Sequence, residues 1–523
     1  MAPGWVQGCQ IVRGGTNLFR LFQPQRATKP LHRMATAALG HGGRGRRAAA
    51  VGLAGIRLLR PLPVAVLCVP GLVLAALAIG GVATRAPTVG AVAGALAALG
   101  LLAILVLVAV AWSVVLHVRH RLPANGFGLC SGAPTVGGVR GAAQGSTGPP
   151  ALTAWLADEL DALAGVGDPA RPLTFGDLGG AGIELAMLTT DLTDGTQQRA
   201  PLRSRVWAFD PDELRRLFPD RVMAWMLSHP PPAGAVDGNS LERFERAGLH
   251  PLPGADDLPV VVGVRLSLSF PLLLSAVPLH RIDYATADRP LVRHWFSDGG
   301  ITSNFPMHFF DNPLPKRPTF GINLGPTTQL ADDDTRNLWL PDSNLGGVNA
   351  PTRPIVSVTD FLVSLKDCLQ NWADNAQTHV PGYRDRIVKV FHTKAEGGLN
   401  LDMDGDAVAR LAHRGRAAGA AFQQRFDFAN HRWVRYRTFM QLLEQLLERA
   451  SSGYGSEPPG VPSFDEMIRG PVPSSYRRGW RSRDAAEQTA AMIELARELA
   501  DSGVDFSRGA PSPQPVLQAR PNP

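Results

Sequence analysis

The chain has 523 residues, 45% of them hydrophobic and 19% charged, with a formal net charge of +7. That apolar content excludes a mainly disordered protein. Gly 55 and Pro 44 fall without period, which excludes collagen. The basic residues are scattered, so the positive charge carries little weight as a nucleic-acid signal, and no nucleic-acid partner is expected. Cys9, Cys68, Cys130 and Cys368 lie far apart with no CxxC, so neither a disulfide framework nor a zinc site is expected. No charged-apolar-small leader marks a cleavable signal peptide at the N-terminus.

In chain order, residues 1–16 read as a first strand running into a glycine turn, CQIVRGG over Cys9 to Gly15. Residues 17–60 form a basic region. No charge interrupts Pro61 to Thr84, 24 residues, or Ala86 to Leu116, 31 residues. Each exceeds the roughly 20 residues that span a bilayer as a helix, so a transmembrane helical hairpin is expected over 61–118. Arg44, Arg46, Arg47, Arg57 and Arg60 precede it, and His117, Arg119, His120 and Arg121 follow. By the positive-inside rule both termini face the cytoplasm, which gives a two-span protein of the cell membrane. Membrane lipids are then the expected partners. A pair of buried core helices is the plainer alternative.

Residues 119–450 read as one mixed α/β domain. Leu152 to Ala164 is an amphipathic helix with Trp155, Leu156, Leu160 and Leu163 on one side. Ile183 to Leu192 alternates like a strand. Pro259 to Val264 is a β-branched run that suits a strand buried on both faces. Val292 to Phe296 is a short strand leading to Asp298. Phe361 to Thr378 is expected to be a helix and Ile387 to His392 a strand. Trp433 to Leu447 is helical, with Trp433, Tyr436, Phe439, Leu443, Leu446 and Leu447 as its apolar face. A C-terminal helical region fills 451–508, its last helix starting at Asp484 with Glu487 three later. Residues 509–523 are rich in Pro and Ser and are expected to be disordered.

The chemical signal lies in His294 to Leu324. A carboxylate, Asp298, ends a buried strand, and Gly299 and Gly300 follow. Glycine permits positive φ and close approach of another backbone there, and an acid in a loop at a strand end is a common place for catalysis. A plain Asp-Gly turn is the other reading. Upstream, RLSLSFPLLLSAVPL over Arg265 to Leu279 is a Ser-rich entry followed by a Pro-interrupted apolar stretch. Together the two segments resemble the patatin-like phospholipase family. Ser267, Ser269, Pro271 and Pro278 match its serine- and proline-rich element. Asp298, Gly299, Gly300, Asn304 and Pro306 match its DG[GA]xxxNxP turn. The likeness extends to NGFGLCSG over Asn125 to Gly132, to Thr189 to Thr193 and to QNWADNAQT over Gln370 to Thr378.

The resemblance implies a three-layer α/β core with a mainly parallel central sheet. It also implies a lipid acyl hydrolase with a Ser-Asp dyad, needing no metal and no cofactor. Asp298 would be the base, with Gly14 and Gly15 as candidate oxyanion elements and Gly299 and Gly300 in the turn. The serine of such a dyad sits in a G-x-S-x-G elbow, where a strained turn exposes Oγ to a base and preorganised donors. This chain has no G-x-S-x-G. Ser131 lies in GLCSG, Ser146 in GSTG and Ser456 in YGSEPPG, and none matches.

Activity is therefore expected to be impaired. Three explanations stay open: a deletion or mis-assembled coding sequence, a non-catalytic lipid-binding or scaffold relative, or another serine. Asp402, Asp404 and Asp406 alternate but lack the calcium-loop Gly and Glu, so Asp406 is expected to cap a helix. Asp332 to Asp334 reads as a solvated turn. His280, His294 and His308 show no metal-ligand spacing.

Overall fold

The computed structural model describes residues 21–39, 106–133, 150–203, 206–327, 329–343, 380–393, 403–454, 458–470 and 482–512. Shorter described pieces are 51, 54–55, 100, 104, 354–358, 360–365, 367–368, 374 and 396–397. The chain divides into two compact units, 1–302 and 303–522, with Pro523 counted in the first.

In the first unit, helix α1 (Lys29–Leu39) precedes strand β1 (Gly128–Cys130). Helix α2 (Leu152–Ala164) has the bounds that its periodicity predicts. Helix α3 (Phe175–Gly180) starts with a capping box between Thr174 and Asp177. Strands β2 (Met187–Asp191), β3 (Thr196–Ala200) and β4 (Ala208–Phe209) follow. Next come α4 (Pro211–Leu214), α5 (Asp220–Ser228), α6 (Gly238–Arg246) and β5 (His250–Pro251). Helix α7 (Val260–Leu268) leads into β6 (Leu272–Leu274), β7 (Val277–Ile282) and β8 (Leu291–Asp298).

Six strands form one antiparallel sheet in the order β3-β2-β8-β7-β4-β5. Hairpins account for the antiparallel pairs β2-β3 and β7-β8, while β2-β8, β7-β4 and β4-β5 pair strands distant in sequence. β2 and β3 are joined by four residues ending at Gly195, whose φ of +66° a side chain would resist. Parallel neighbours need crossovers of a dozen residues or more. The expected mainly parallel central sheet is thus corrected, and the parallel pairing in this unit is the small pair β1-β6.

One face of the sheet carries the core. Val277 pairs with Phe296 and Leu279 with His294, all four buried. Against them pack Val260, Val261, Val262 and Leu266 of α7, with Trp207, Phe209, Phe218, Met223 and Met226. Here lies a second correction, because the run at Pro259 to Val264 is helical rather than a strand. Pro259 serves as N-cap, and the segment is buried on nearly all sides. Full burial removes the hydrophobic period that distinguishes helix from strand.

The expected membrane hairpin is also corrected. Among the described residues no helix is long and apolar enough to cross a membrane. The first apolar run lies wholly outside the described residues, as does most of the second. What is described at its end, helix over 106–116, passes into a π-helical turn at His117–Arg121. The two-span, cell-membrane placement with both termini cytoplasmic does not stand.

The second unit holds β9 (Gly321–Pro326), β10 (Leu338–Trp339) and β11 (Ile387–His392) in the order β10-β11-β9. β11 runs parallel to β9 and antiparallel to β10. Helices α8 (Gly405–Arg425), α9 (Phe428–Gly453), α10 (Phe464–Arg469) and α11 (Ser482–Asp501) follow. Asp404, not Asp406, caps α8, its Oδ1 accepting from Ala407 N–H at 2.6 Å. The buried side of α9 is His431, Val434, Arg435, Thr438 and Gln441. Trp433, Tyr436 and Leu446 of the expected apolar face are exposed instead. Polar side chains with partners, such as Arg435 on Asp311, displaced the simple hydrophobic stripe.

Arg414 of α8 bonds Glu396 through both terminal nitrogens at 3.0 Å and Asp334 through Nε at 2.9 Å. So Asp334 is not the solvated turn residue expected. The Arg414 hydrogen bonds hold the Glu396 carboxyl at about 2, below its ordinary 4.5. The stability this gives is present above about pH 4.5 and is lost as pH falls toward 2. Glu396→Gln should flatten the denaturant stability of the chain across that window. At neutral pH it should cost about 3 kcal/mol, because a buried guanidinium loses one of its two carboxylate partners.

Candidate active-site carboxylate

Strand β8 brings Asp298 to the end of the central sheet, opposite Thr189 of β2. Two hydrogen bonds and the turn that follows fix its backbone. Its N–H donates to the Ser269 carbonyl at 3.1 Å, its carbonyl accepts from Thr190 Oγ1 at 2.9 Å, and the Gly299–Ile301 3-10 turn follows at once. Its Oδ1 accepts the Gly300 N–H at 2.6 Å. Among the described residues no donor meets its other oxygen. Burial pushes the Asp298 carboxyl above its ordinary 3.8, and the Gly300 N–H partly offsets this. The outcome is a half-buried carboxyl, held on one side and open on the other, a state suited to accepting a proton.

Gly299 is required by close approach. A Cβ there would stand 2.3 Å from the Leu188 carbonyl oxygen. Of the two reasons expected for glycine, close approach holds at Gly299, while neither Gly299 nor Gly300 has a positive φ. Asn304 and Pro306 fall in the second unit. There Asp374, from the QNWADNAQT segment, accepts from Ser303 Oγ at 2.5 Å, Asn304 N–H at 2.7 Å and Phe305 N–H at 3.1 Å. Sequence reasoning singled out the segment but not this carboxylate.

The serine-rich element is divided between structures. Ser267 lies in α7, Ser269 ends it, and Pro278 sits in β7. Ser269 is fully buried, and its Oγ donates to the Arg265 carbonyl at 2.5 Å. Ser131 is a buried turn residue, its Oγ accepting from Gln25 and from Ala133 N–H. Among the described residues no serine hydroxyl bonds the Asp298 carboxylate. Gly14, Gly15, Ser146 and Ser456 lie outside the described residues.

A second polar cluster escaped the sequence analysis. His294 Nδ1 lies 2.8 Å from Asp191 Oδ2, both buried. Arg281 Nε donates to His294 Nε2 at 3.0 Å, so the ring proton sits on Nδ1 and is given to Asp191. Arg281 also pairs with Asp194. Asp191, Asp194 and His294 offer atoms within 4.8 Å of one another, a spacing that could suit a metal ion. Arg281 already supplies the positive charge to two of them, so the donor set is spoken for. The TTDLTDG turn carries the two acids, but no spacing rule links them to a histidine 100 residues later.

These features define a mixed α/β protein whose antiparallel sheet ends on a positioned Asp-Gly-Gly turn. The RpoH suppressor of Rhizobium meliloti (strain 1021) is 32% identical over 476 residues, a match covering 78% of this chain and 72% of that protein. The chain belongs to the family of that RpoH suppressor. No family model matches the chain, and no solved structure matches it.

Two outcomes follow for the turn. A carboxyl raised on folding is better protonated in the folded than in the unfolded state. Its contribution is therefore most favourable below about pH 3.8 and is lost as pH rises through the folded value. Asp298→Asn should leave the melting temperature at pH 7 unchanged or higher, read by calorimetry. Gly299→Ala should lower stability by about 1–3 kcal/mol, because the Leu188 backbone must move.

Proposed function

We propose that this chain acts as a serine lipid acyl hydrolase of the patatin-like type, with Asp298 as the base of a Ser-Asp dyad. The observation that carries the reading is the Asp298 carboxyl itself. It is raised by burial, held through one oxygen by Gly300 and open at the other, at the end of a strand fixed on both edges. The base would take the proton from a serine hydroxyl as that oxygen attacks the acyl carbonyl of a lipid ester. Gly14 and Gly15 are proposed as oxyanion elements and Gly299 and Gly300 as the turn that orients the base.

A second reading is favoured by one observation. Among the described residues no serine hydroxyl reaches Asp298, so the chain would bind lipid without turning it over. The missing G-x-S-x-G elbow points the same way. On either reading lipid is the ligand. The relative's name extends one further proposal, that this chain too acts as a suppressor of RpoH.

Labelling of the folded chain with a fluorophosphonate serine-hydrolase probe separates the two. Labelling that disappears in Asp298→Asn establishes a working dyad, and the tagged peptide identifies its serine. A folded chain that stays unlabelled yet sediments with phospholipid vesicles supports the lipid-binding reading. A chain that does neither overturns both.

A further inference from the structure

Arg265 of α7 is wholly buried, and no carboxylate among the described residues pairs with it. Its guanidinium instead reaches three segments. Nη2 donates to the Ser131 carbonyl, just past β1, at 2.9 Å and to the Ser275 carbonyl, just past β6, at 3.0 Å. Nη1 donates to Ser269 Oγ at 2.6 Å, and that hydroxyl returns a hydrogen bond to the Arg265 carbonyl. The Ser269 carbonyl then accepts the Asp298 N–H at 3.1 Å and Ser297 Oγ at 2.8 Å. A continuous path of hydrogen bonds thus runs from the guanidinium through Ser269 to the backbone of Asp298.

Burying a guanidinium without a counter-ion is costly. A strut needed only for packing would be met as well by an apolar side chain of similar volume. Lysine would not serve, since a point charge cannot present the planar fork that meets three acceptors at fixed angles. The location of this cost, one residue's bonds away from Asp298, is informative.

We propose that Arg265 is a positioning residue for the Asp298 carboxylate: it locks the Ser269 turn, whose carbonyl sets where β8 ends and how Asp298 is presented. The inference rests on the reading of Asp298 as the working base. The charged and titratable residues on elements packed against β8 are Asp191 on β2, His280 and Arg281 on β7 and Arg265 on α7. Arg293 and His294 lie on β8 itself. Of these, Arg265 is the one whose bonds lead to the Asp298 backbone.

The test is the titration of Asp298 in the full chain, followed by carbon-13 NMR of labelled aspartate carboxyls and assigned with Asp298→Asn. Wild type should titrate above the ordinary carboxylate range. Arg265→Met and Arg265→Lys should bring it down by about one pH unit or more, because the loosened turn admits water. Ser269→Ala keeps the guanidinium, removes only the hydroxyl link and should give a smaller fall. Replacement of a merely structural Arg265 would leave the Asp298 titration in place, whatever it did to the melting temperature. An unchanged titration in any folded Arg265 variant overturns the proposal. Should both Arg265 variants fail to fold, an unchanged titration in Ser269→Ala overturns it. An ordinary value in wild type overturns the base reading instead. Arg265 is then judged by hydrogen exchange of the Asp298 amide, where unchanged protection in Arg265→Met, or in Ser269→Ala if the former does not fold, overturns its role.

Discussion

Strand β8 is hydrogen-bonded on both edges, to β2 on one side and β7 on the other, and this pairing decides where every residue on it points. Because side chains alternate, His294, Phe296 and Asp298 share one face. Phe296 anchors that face in the core, opposite Val277 and beneath α7. His294 is carried to Asp191 and Arg281, and Asp298 is left at the sheet end. A shift of one residue in register would turn all three to the other face at once. The polar cluster and the Asp-Gly-Gly turn therefore depend on the same apolar contacts as the core.

The turn joins opposing demands. Burial makes the Asp298 charge costly, which raises its proton affinity and lowers its value to stability. The Gly300 N–H and the Ser269 carbonyl hold the residue where that cost falls. Gly299 must lack a side chain because the Leu188 backbone lies against it. Arg265 shows the same pattern at a deeper level. Burial brings its guanidinium down to about 10, yet each of its bonds is made to a carbonyl or hydroxyl rather than to a carboxylate. Cys130, next to the Ser131 carbonyl, is pushed up to about 12 by burial and is inert as a nucleophile.

The second unit uses charge differently. Arg414 is enclosed by Glu396 and Asp334, and Asp374 closes the Ser303 to Phe305 turn by accepting from three donors. Arg414 is ion-paired, as burial of a charge ordinarily requires, whereas Asp374, like Arg265, is met by neutral partners. The shared ancestry with the RpoH suppressor covers most of both chains, while the chemistry of the site is argued from Asp298 and its surroundings.

Local pattern alone determined several elements. The helix Leu152 to Ala164 and the strand Ile387 to His392 translate into structure because neighbours in sequence decide them, whereas the last helix starts at Ser482 rather than at the expected Asp484. Asp298 was legible for the same reason, since a strand, an acid and two glycines are adjacent. What sequence could not determine required distant partners. The valine run before Arg265 became a helix because burial on all sides erases the period by which helix and strand differ. Two hairpins make β2-β3 and β7-β8 antiparallel, but the remaining pairs of the sheet join strands far apart in sequence, whose direction no local signal sets. Asp191 and His294 met only through the β2-β8 register, and Arg265 reached Ser131 only once β1 was paired with β6. Hydrogen bonds between residues a hundred positions apart leave no spacing for a sequence to show.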